Sequence, residues 1–166
     1  WTIKKAWENG YLYQGFRPMN CCPRCGTALA KHEFEYYDIE DTAIFVKFRS
    51  VEDPKTFYVI WTTTPWTLVS NTNIIANPDI EYVNMRVKDE HWIMGIASTA
   101  DLLQNKLGLT LKTEDGFEYG ERIPGSELEG KKYIHPLADE IPYQAELEKE
   151  EPKVHSILMS REYVQE

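Results

Sequence analysis

The chain has 166 residues, 42% of them hydrophobic and 27% charged, with 18 Lys and Arg against 27 Asp and Glu and a net charge of −9. That describes one soluble domain, or one with a small appendage, and apolar runs such as Tyr58 to Trp61 fall far short of the roughly 20 residues that cross a bilayer. Phosphate contacts need clustered Lys and Arg, so the acidic balance argues against a broad nucleic-acid face and leaves room only for a nucleic acid held locally.

The opening Trp1-Thr2-Ile3-Lys4-Lys5-Ala6-Trp7 has neither an initiator Met nor an apolar signal core, so the expectation is a piece of a longer cytoplasmic protein. Trp1 to Asn9 reads as a short amphipathic helix with Ile3, Ala6 and Trp7 on one side and Gly10 after its end. Phe34 to Tyr37 and Ala43 to Phe48 carry the aromatic and β-branched residues of strands. Asp53-Pro54 marks a turn, and Thr56 to Trp61 is the most strand-like run. Asn73 to Ala76 is a short strand, and Glu81 to Val87 with His91 to Met94 predicts a hairpin. Ala97 to Leu107 predicts a helix with Ser98 or Thr99 as cap and Gly108 at its stop. Beyond it lie short strands and turns, an acidic, Pro-punctuated stretch from Glu140 to Pro152, and an apolar segment from Val154 to Val164 able to pair.

Two places carry chemistry. Cys21-Cys22-Pro23-Arg24-Cys25 packs all three cysteines into five positions, too close for a disulfide framework. Cys22 and Cys25 have the spacing of a zinc knuckle, in which two thiolates share one ion and turn N–H groups face the sulfurs. A tetrahedral zinc takes four ligands, and this half-site supplies two. His32 is a candidate third ligand, Cys21 an alternative to Cys22, and a redox pair or a turn with two reduced thiols are the other readings.

The second place is Trp61-Thr62-Thr63-Thr64-Pro65-Trp66-Thr67-Leu68-Val69-Ser70-Asn71. In an extended strand Thr62 and Thr64 face one way and Thr63 the other; Thr64 is placed as an N-cap and Pro65 as the first helical residue. Such a strand-to-helix corner offers hydroxyls and N–H groups to a developing oxyanion or a ribose oxygen, although Thr is equally a good strand residue and Thr-Pro a common helix start.

Trp61 to Leu68 with Asn71 resembles the threonine-rich signature of the editing domain, the first connective insertion, of isoleucyl-tRNA synthetases. Valyl and leucyl relatives typically carry Arg and Glu where this chain has Thr64 and Trp66. Trp1 to Tyr13 resembles the helix leaving the catalytic domain, and Cys22 to Leu29 resembles the family's zinc knuckle. The resemblance implies that Thr62, Thr63 and Thr64 are catalytic and that Asn71 and Trp66 bind substrate in hydrolysis of mischarged valyl-tRNA, with Trp61 as a further wall. It implies zinc at Cys22 and Cys25, the tRNA acceptor end and the remaining synthetase domains as partners, and ATP and Mg only in the parent's synthetic domain.

Several family features are absent from the sequence. It has no Gly-x-Gly followed by a His, no later amine-binding Asp in that context, no second Cys-x-x-Cys, no His-x-Gly-His, and Ile157 to Arg161 is not the mobile Lys-Met-Ser-Lys-Ser loop. Val69 stands where many relatives have Pro; His135, in Tyr133-Ile134-His135-Pro136, lies outside the family's His context and is not assigned to the site, and His91 and His155 read as strand or surface residues. The expected architecture is a β-rich α+β fold: the end of a catalytic-domain helix over 1–15, a zinc-ribbon half over 16–36, and a small barrel-like editing domain with peripheral helices over 37–166, incomplete at its C-terminus. The competing function is a non-catalytic zinc-ribbon fragment that binds the acceptor end.

Overall fold

The structure, a computed structural model, describes residues 1–40, 42–100, 102–103, 107–108 and 116–164. It divides into two compact units, Trp1–Glu40 and Asp41–Glu166.

In the first unit helix α1, Thr2–Glu8, forms as expected and stops at Gly10 with φ +72. Its apolar side stays open, with Ile3 74% and Trp7 63% exposed, and no residue from Trp1 to Glu40 is buried. The strand expected at Phe34 to Tyr37 is not there: a 3-10 turn at Lys31–Glu33 precedes extended chain in which Tyr36 and Tyr37 are exposed and no strand is paired with them. Strand-forming residues without a partner strand do not make a sheet.

The second unit is built on six strands: β1 (Ile44–Ser50), β2 (Thr56–Thr62), β4 (Glu81–Val87), β5 (Glu90–Gly95), β6 (Phe117–Pro124) and β7 (Tyr133–Ile134), in the order β6-β4-β5-β2-β1-β7. A second, two-stranded sheet pairs β3 (Asn73–Ala76) with β8 (Ser156–Met159) in parallel. Between β1 and β2, Asp53 accepts the Lys55 N–H and the Thr56 hydroxyl beside Pro54 and closes the turn. The predicted hairpin is β4 with β5, joined through Lys88 at φ 56, the left-handed geometry that two-residue hairpin turns require.

β2 and β5 are parallel in the middle of the sheet, so the connection between them cannot be a hairpin. It leaves at Thr62, turns through a 3-10 helix at Pro65–Ser70, runs through β3 in the second layer, and returns as β4. The candidate site sits on this crossover.

Alternation along the strands divides the core in two. Phe48, Tyr58 and Ile93 face Ile74, Ala76, Ile157, Leu128 and Tyr133, whereas Val59, Met94, Val83, Met85, Val87 and Phe117 face Leu102 and Leu103. Neighbours on β2, Tyr58 and Val59, thus belong to opposite cores, as the two-residue period of a strand demands. Phe48 meets the Tyr133 ring edge-on at 5.0 Å between centroids.

Helix α2 spans Ile96–Ala100, and its start corrects the expected cap: Thr99 lies inside the helix and donates its hydroxyl to the Ile96 carbonyl at 2.6 Å. Leu102 and Leu103 are buried and Gly108 has φ +63, while the rest of the helix expected up to Leu107 lies largely outside the described residues. Within the acidic stretch, Pro142–Glu150 forms helix α3, which the sequence reading missed. Its one buried residue is Gln144, so no apolar period betrays it. The fold is α+β and mostly sheet, as expected.

Candidate active site

β2 delivers the threonines to the edge of the crossover, where strand pairing ends with Thr62 opposite Ile44. The Thr62 Oγ1 accepts the Thr64 N–H at 3.1 Å and lies 3.3 Å from the Thr64 Oγ1, so these two side chains share a side as the strand geometry predicts. Thr64 stands at the N-cap position but its hydroxyl caps nothing. Instead Thr67 donates its hydroxyl back to the Thr64 carbonyl at 2.7 Å, closing a tight 3-10 turn. Thr63 is exposed, and its hydroxyl makes no hydrogen bond among the described residues. Trp61 and Trp66 flank it at 58% and 66% exposure, with Val69 also exposed. From Trp61 to Asn73 there is no charged residue, so this acidic chain presents an uncharged polar and aromatic corner.

The inner side of the corner is pinned. The Tyr133 hydroxyl donates to the Asn71 Oδ1 at 2.7 Å, and the Asn71 Nδ2 donates to the Asn73 carbonyl at 3.1 Å. His135 Nε2 meets the Leu68 carbonyl at 3.0 Å, Gln144 Nε2 donates to the Val69 carbonyl at 2.8 Å, and the His155 backbone N–H donates to the Thr72 carbonyl at 2.7 Å. All four anchoring residues are 1–2% exposed.

Backbone partners fix the protons. A carbonyl only accepts and a backbone N–H only donates, so His135 carries its proton on Nε2 facing Leu68 and leaves Nδ1 bare to accept the Leu137 N–H at 3.1 Å. By the same reasoning Gln144 turns its NH2 to Val69 and its oxygen to His155 Nε2, 3.0 Å away, which must be an N–H. His155 Nδ1 lies 3.5 Å from the Glu148 carboxylate. Burial holds the His135 pKa below the usual imidazole value, opposed by the Leu68 bond and reinforced by His155, whose ring lies 5.3 Å away. Burial also pushes the Tyr133 phenol well above the ordinary value, so it stays a donor.

His155 corrects the sequence reading: it is a buried turn residue with φ 56, not a surface or strand residue. His135 is likewise buried, whereas His91 does lie in β5. The usable signal was polar residues set in otherwise apolar company, as in Val154-His155-Ser156-Ile157. A separate cleft of about 260 Å³ is lined by four carboxylates, Glu52, Asp53, Glu121 and Glu127, and by Lys131, whose ammonium is already paired with Glu52 at 2.8 Å.

In the first unit Cys22 and Cys25 share a knuckle closed by Gly26 N–H to the Cys22 carbonyl at 2.8 Å, with Gly26 at φ +67. The Cys25 N–H, the Cys25 thiol and the Arg24 N–H face the Cys22 sulfur and lower its pKa, the environment a metal thiolate needs. Among the described residues no group of three or more His, Cys, Asp or Glu is placed to hold a metal, so His32 does not complete a set with the cysteines.

A profile for tRNA synthetases class I (I, L, M and V) matches residues 1–156. The chain belongs to the class I tRNA synthetases. It is similar to the isoleucine–tRNA ligase of Thermotoga maritima, 44% identical over 139 residues covering 84% of this chain and 14% of that one. It is also similar to the isoleucine–tRNA ligases of Pyrococcus furiosus, 40% identical, and Methanocaldococcus jannaschii, 38% identical, each over 96% of this chain. This class I synthetase chain therefore spans about one seventh of the length of the curated relatives it matches. In fold it is similar to the crystal structure of GlLeuRS-CP1, with a TM-score of 0.53 and 17% identity over 74% of this chain and 50% of that one. No described helix is long and apolar enough to cross a membrane.

Proposed function

We propose that this chain is the editing part of an isoleucine–tRNA ligase and that its threonine corner hydrolyses valyl-tRNA mischarged onto the isoleucine tRNA. A hydrophobic pocket discriminates poorly against a side chain one methylene smaller, so a ligase that must reject valine needs a second site. The observation that carries the reading is the Thr63 hydroxyl, exposed and without a partner among the described residues, between two exposed tryptophans on an uncharged corner. An aromatic face left in water suits the unpaired terminal base.

In this reading Trp66 and Asn71 hold the terminal nucleoside and the acyl group. Thr62, Thr63 and Thr64 orient the ester carbonyl and the attacking water; the water adds to the carbonyl, the acyl–oxygen bond breaks, and the ribose oxygen leaves with a proton. Only the single-stranded acceptor end enters, which an acidic domain tolerates while the remaining domains hold the tRNA. ATP and Mg belong to the synthetic domain of the whole ligase, which works in the cytoplasm, where tRNA is charged. Cys22 and Cys25 supply two thiolates of a zinc site. A unit of 40 residues without a buried residue is of the size that metals commonly staple.

The test uses the full-length gene product. Thr63→Ala removes an exposed hydroxyl that bonds to none of the described residues, so stability should stay within about 0.5 kcal/mol while valyl-tRNA hydrolysis falls roughly 10- to 100-fold. Isoleucine-dependent pyrophosphate exchange should be unchanged. Asn71→Ala should also lose hydrolysis, and unchanged rates in both variants would overturn the assignment. A wild-type protein that binds the acceptor end without hydrolysing it would instead be the non-catalytic scaffold.

A further inference from the structure

We infer that His135, supported by Gln144, is a positioning residue for the threonine corner: it touches no substrate, and its hydrogen bond to the Leu68 carbonyl sets where the hydroxyls stand. The inference rests on the hydrolytic reading above and extends it to residues that neither the threonine signature nor the family resemblance includes.

The corner lacks the usual means of holding a shape. It is a 3-10 helix of six residues with no buried member, and 3-10 hydrogen bonds are short-range and poorly aligned. Its one apolar anchor is Leu68, half-buried against the Phe48 and Ile74 core, and the threonine hydroxyls bond mainly to one another and to their own turn. Beyond that one contact, a row of side-chain donors aimed at successive carbonyls ties it to the rest of the unit: His135 at Leu68 and Gln144 at Val69, with Tyr133 on the Asn71 side chain.

His135 has the strongest leverage in this row. The Leu68 carbonyl that accepts its Nε2–H also accepts the Asn71 N–H at 3.1 Å, so one oxygen ties the end of the 3-10 turn to Asn71 and to the buried ring. The other ring nitrogen is held by the Leu137 N–H, so the imidazole cannot swing to follow a displaced corner. Gln144 repeats the device one residue along, its amide locked between Val69 and His155. A reacting group displaced by about 1 Å loses on the order of 100-fold in rate; a loosened corner should therefore slow the chemical step more than it weakens binding.

The experiment measures single-turnover hydrolysis of valyl-tRNA by the full-length gene product against tRNA concentration. His135→Phe keeps a ring and removes both nitrogens; His135→Gln keeps a donor at the Nε2 position. The expected result is a fall of about 10- to 100-fold in the saturating rate for His135→Phe, with the half-saturating concentration changed less than about threefold, and recovery to within about threefold of wild type in His135→Gln. A wild-type rate in His135→Phe would overturn the inference and leave the hydrolytic reading intact. Equal loss in both variants would assign the effect to ring packing and overturn it too. Should His135→Phe fail to fold, Gln144→Met, similar in shape and without a donor, decides: an undiminished rate overturns the inference. A wild-type protein that does not hydrolyse valyl-tRNA would refute the functional reading itself, and this inference with it.

Discussion

Thr63 and Asn71 come from the same signature and do different work in the structure. The Thr63 hydroxyl is unspent among the described residues, whereas the Asn71 amide is committed on one side to Tyr133 and on the other to Asn73. An Asn71→Ala variant therefore loses an internal brace as well as any substrate contact, and Thr63→Ala is the cleaner probe. His135 makes a prediction about acid. Its folded-state pKa lies below the ordinary 6.5, so as pH falls the unfolded chain takes up a proton that the folded chain refuses. Protonation would set an Nδ1–H against the Leu137 N–H. The stability given by neutral His135 is thus complete above pH 6.5 and erodes as pH drops towards the folded value. The titratable group whose charge acts on the ring is His155, which itself lies 3.5 Å from the Glu148 carboxylate. Urea midpoints should fall between about pH 7.5 and about pH 5.5, and the fall should be shallower in His135→Gln; an identical slope would remove His135 as its source. Gly125 makes a steric prediction. A Cβ there would strike the Asn77 carbonyl oxygen, so Gly125→Ala should cost about 1–3 kcal/mol in urea unfolding.

At the scale of elements, what could be read depended on whether a segment's partners lie nearby in the chain. β1, β2 and the β4–β5 hairpin announce themselves because their residues alternate and their partners follow within a turn or two. The threonine corner was legible as a corner because Pro65 forbids continuation of β2. Phe34 to Tyr37 had strand composition and found no strand, and α3 was hidden because it buries a glutamine in place of an apolar stripe. The anchors of the corner were invisible for a related reason: hydrogen bonds spanning 62, 67 and 75 residues leave no period or spacing in a sequence. The knuckle is an element with its own test. Replacing Cys22 and Cys25 by Ser together should lower bound zinc by about one ion per chain in elemental analysis of the full-length protein; unchanged zinc would place the metal elsewhere.

Across the second unit, β2 and β5 each join the two cores, β5 through Ile93 and Met94. Tyr58 and Val59 adjoin on β2 and pack against opposite layers, so neither layer can loosen without disturbing the strand that carries the threonines. Phe48→Ala, a fully buried truncation, should cost about 3–5 kcal/mol and lower valyl-tRNA hydrolysis at temperatures near the reduced midpoint, although Phe48 is not among the corner residues. The long return of the chain has a further consequence, in time. Val69 is held by Gln144, 75 residues later, and Asn73 by Ser156, 83 residues later. At about 5–20 residues per second, a ribosome needs roughly 4–15 s to make the stretch between Val69 and Gln144. During those seconds the nascent polypeptide carries the complete threonine signature with the inner carbonyls of its corner still in water. A ribosome stalled before Tyr133 would display that signature with none of its four anchors yet made, so the site is finished long after its own residues are joined.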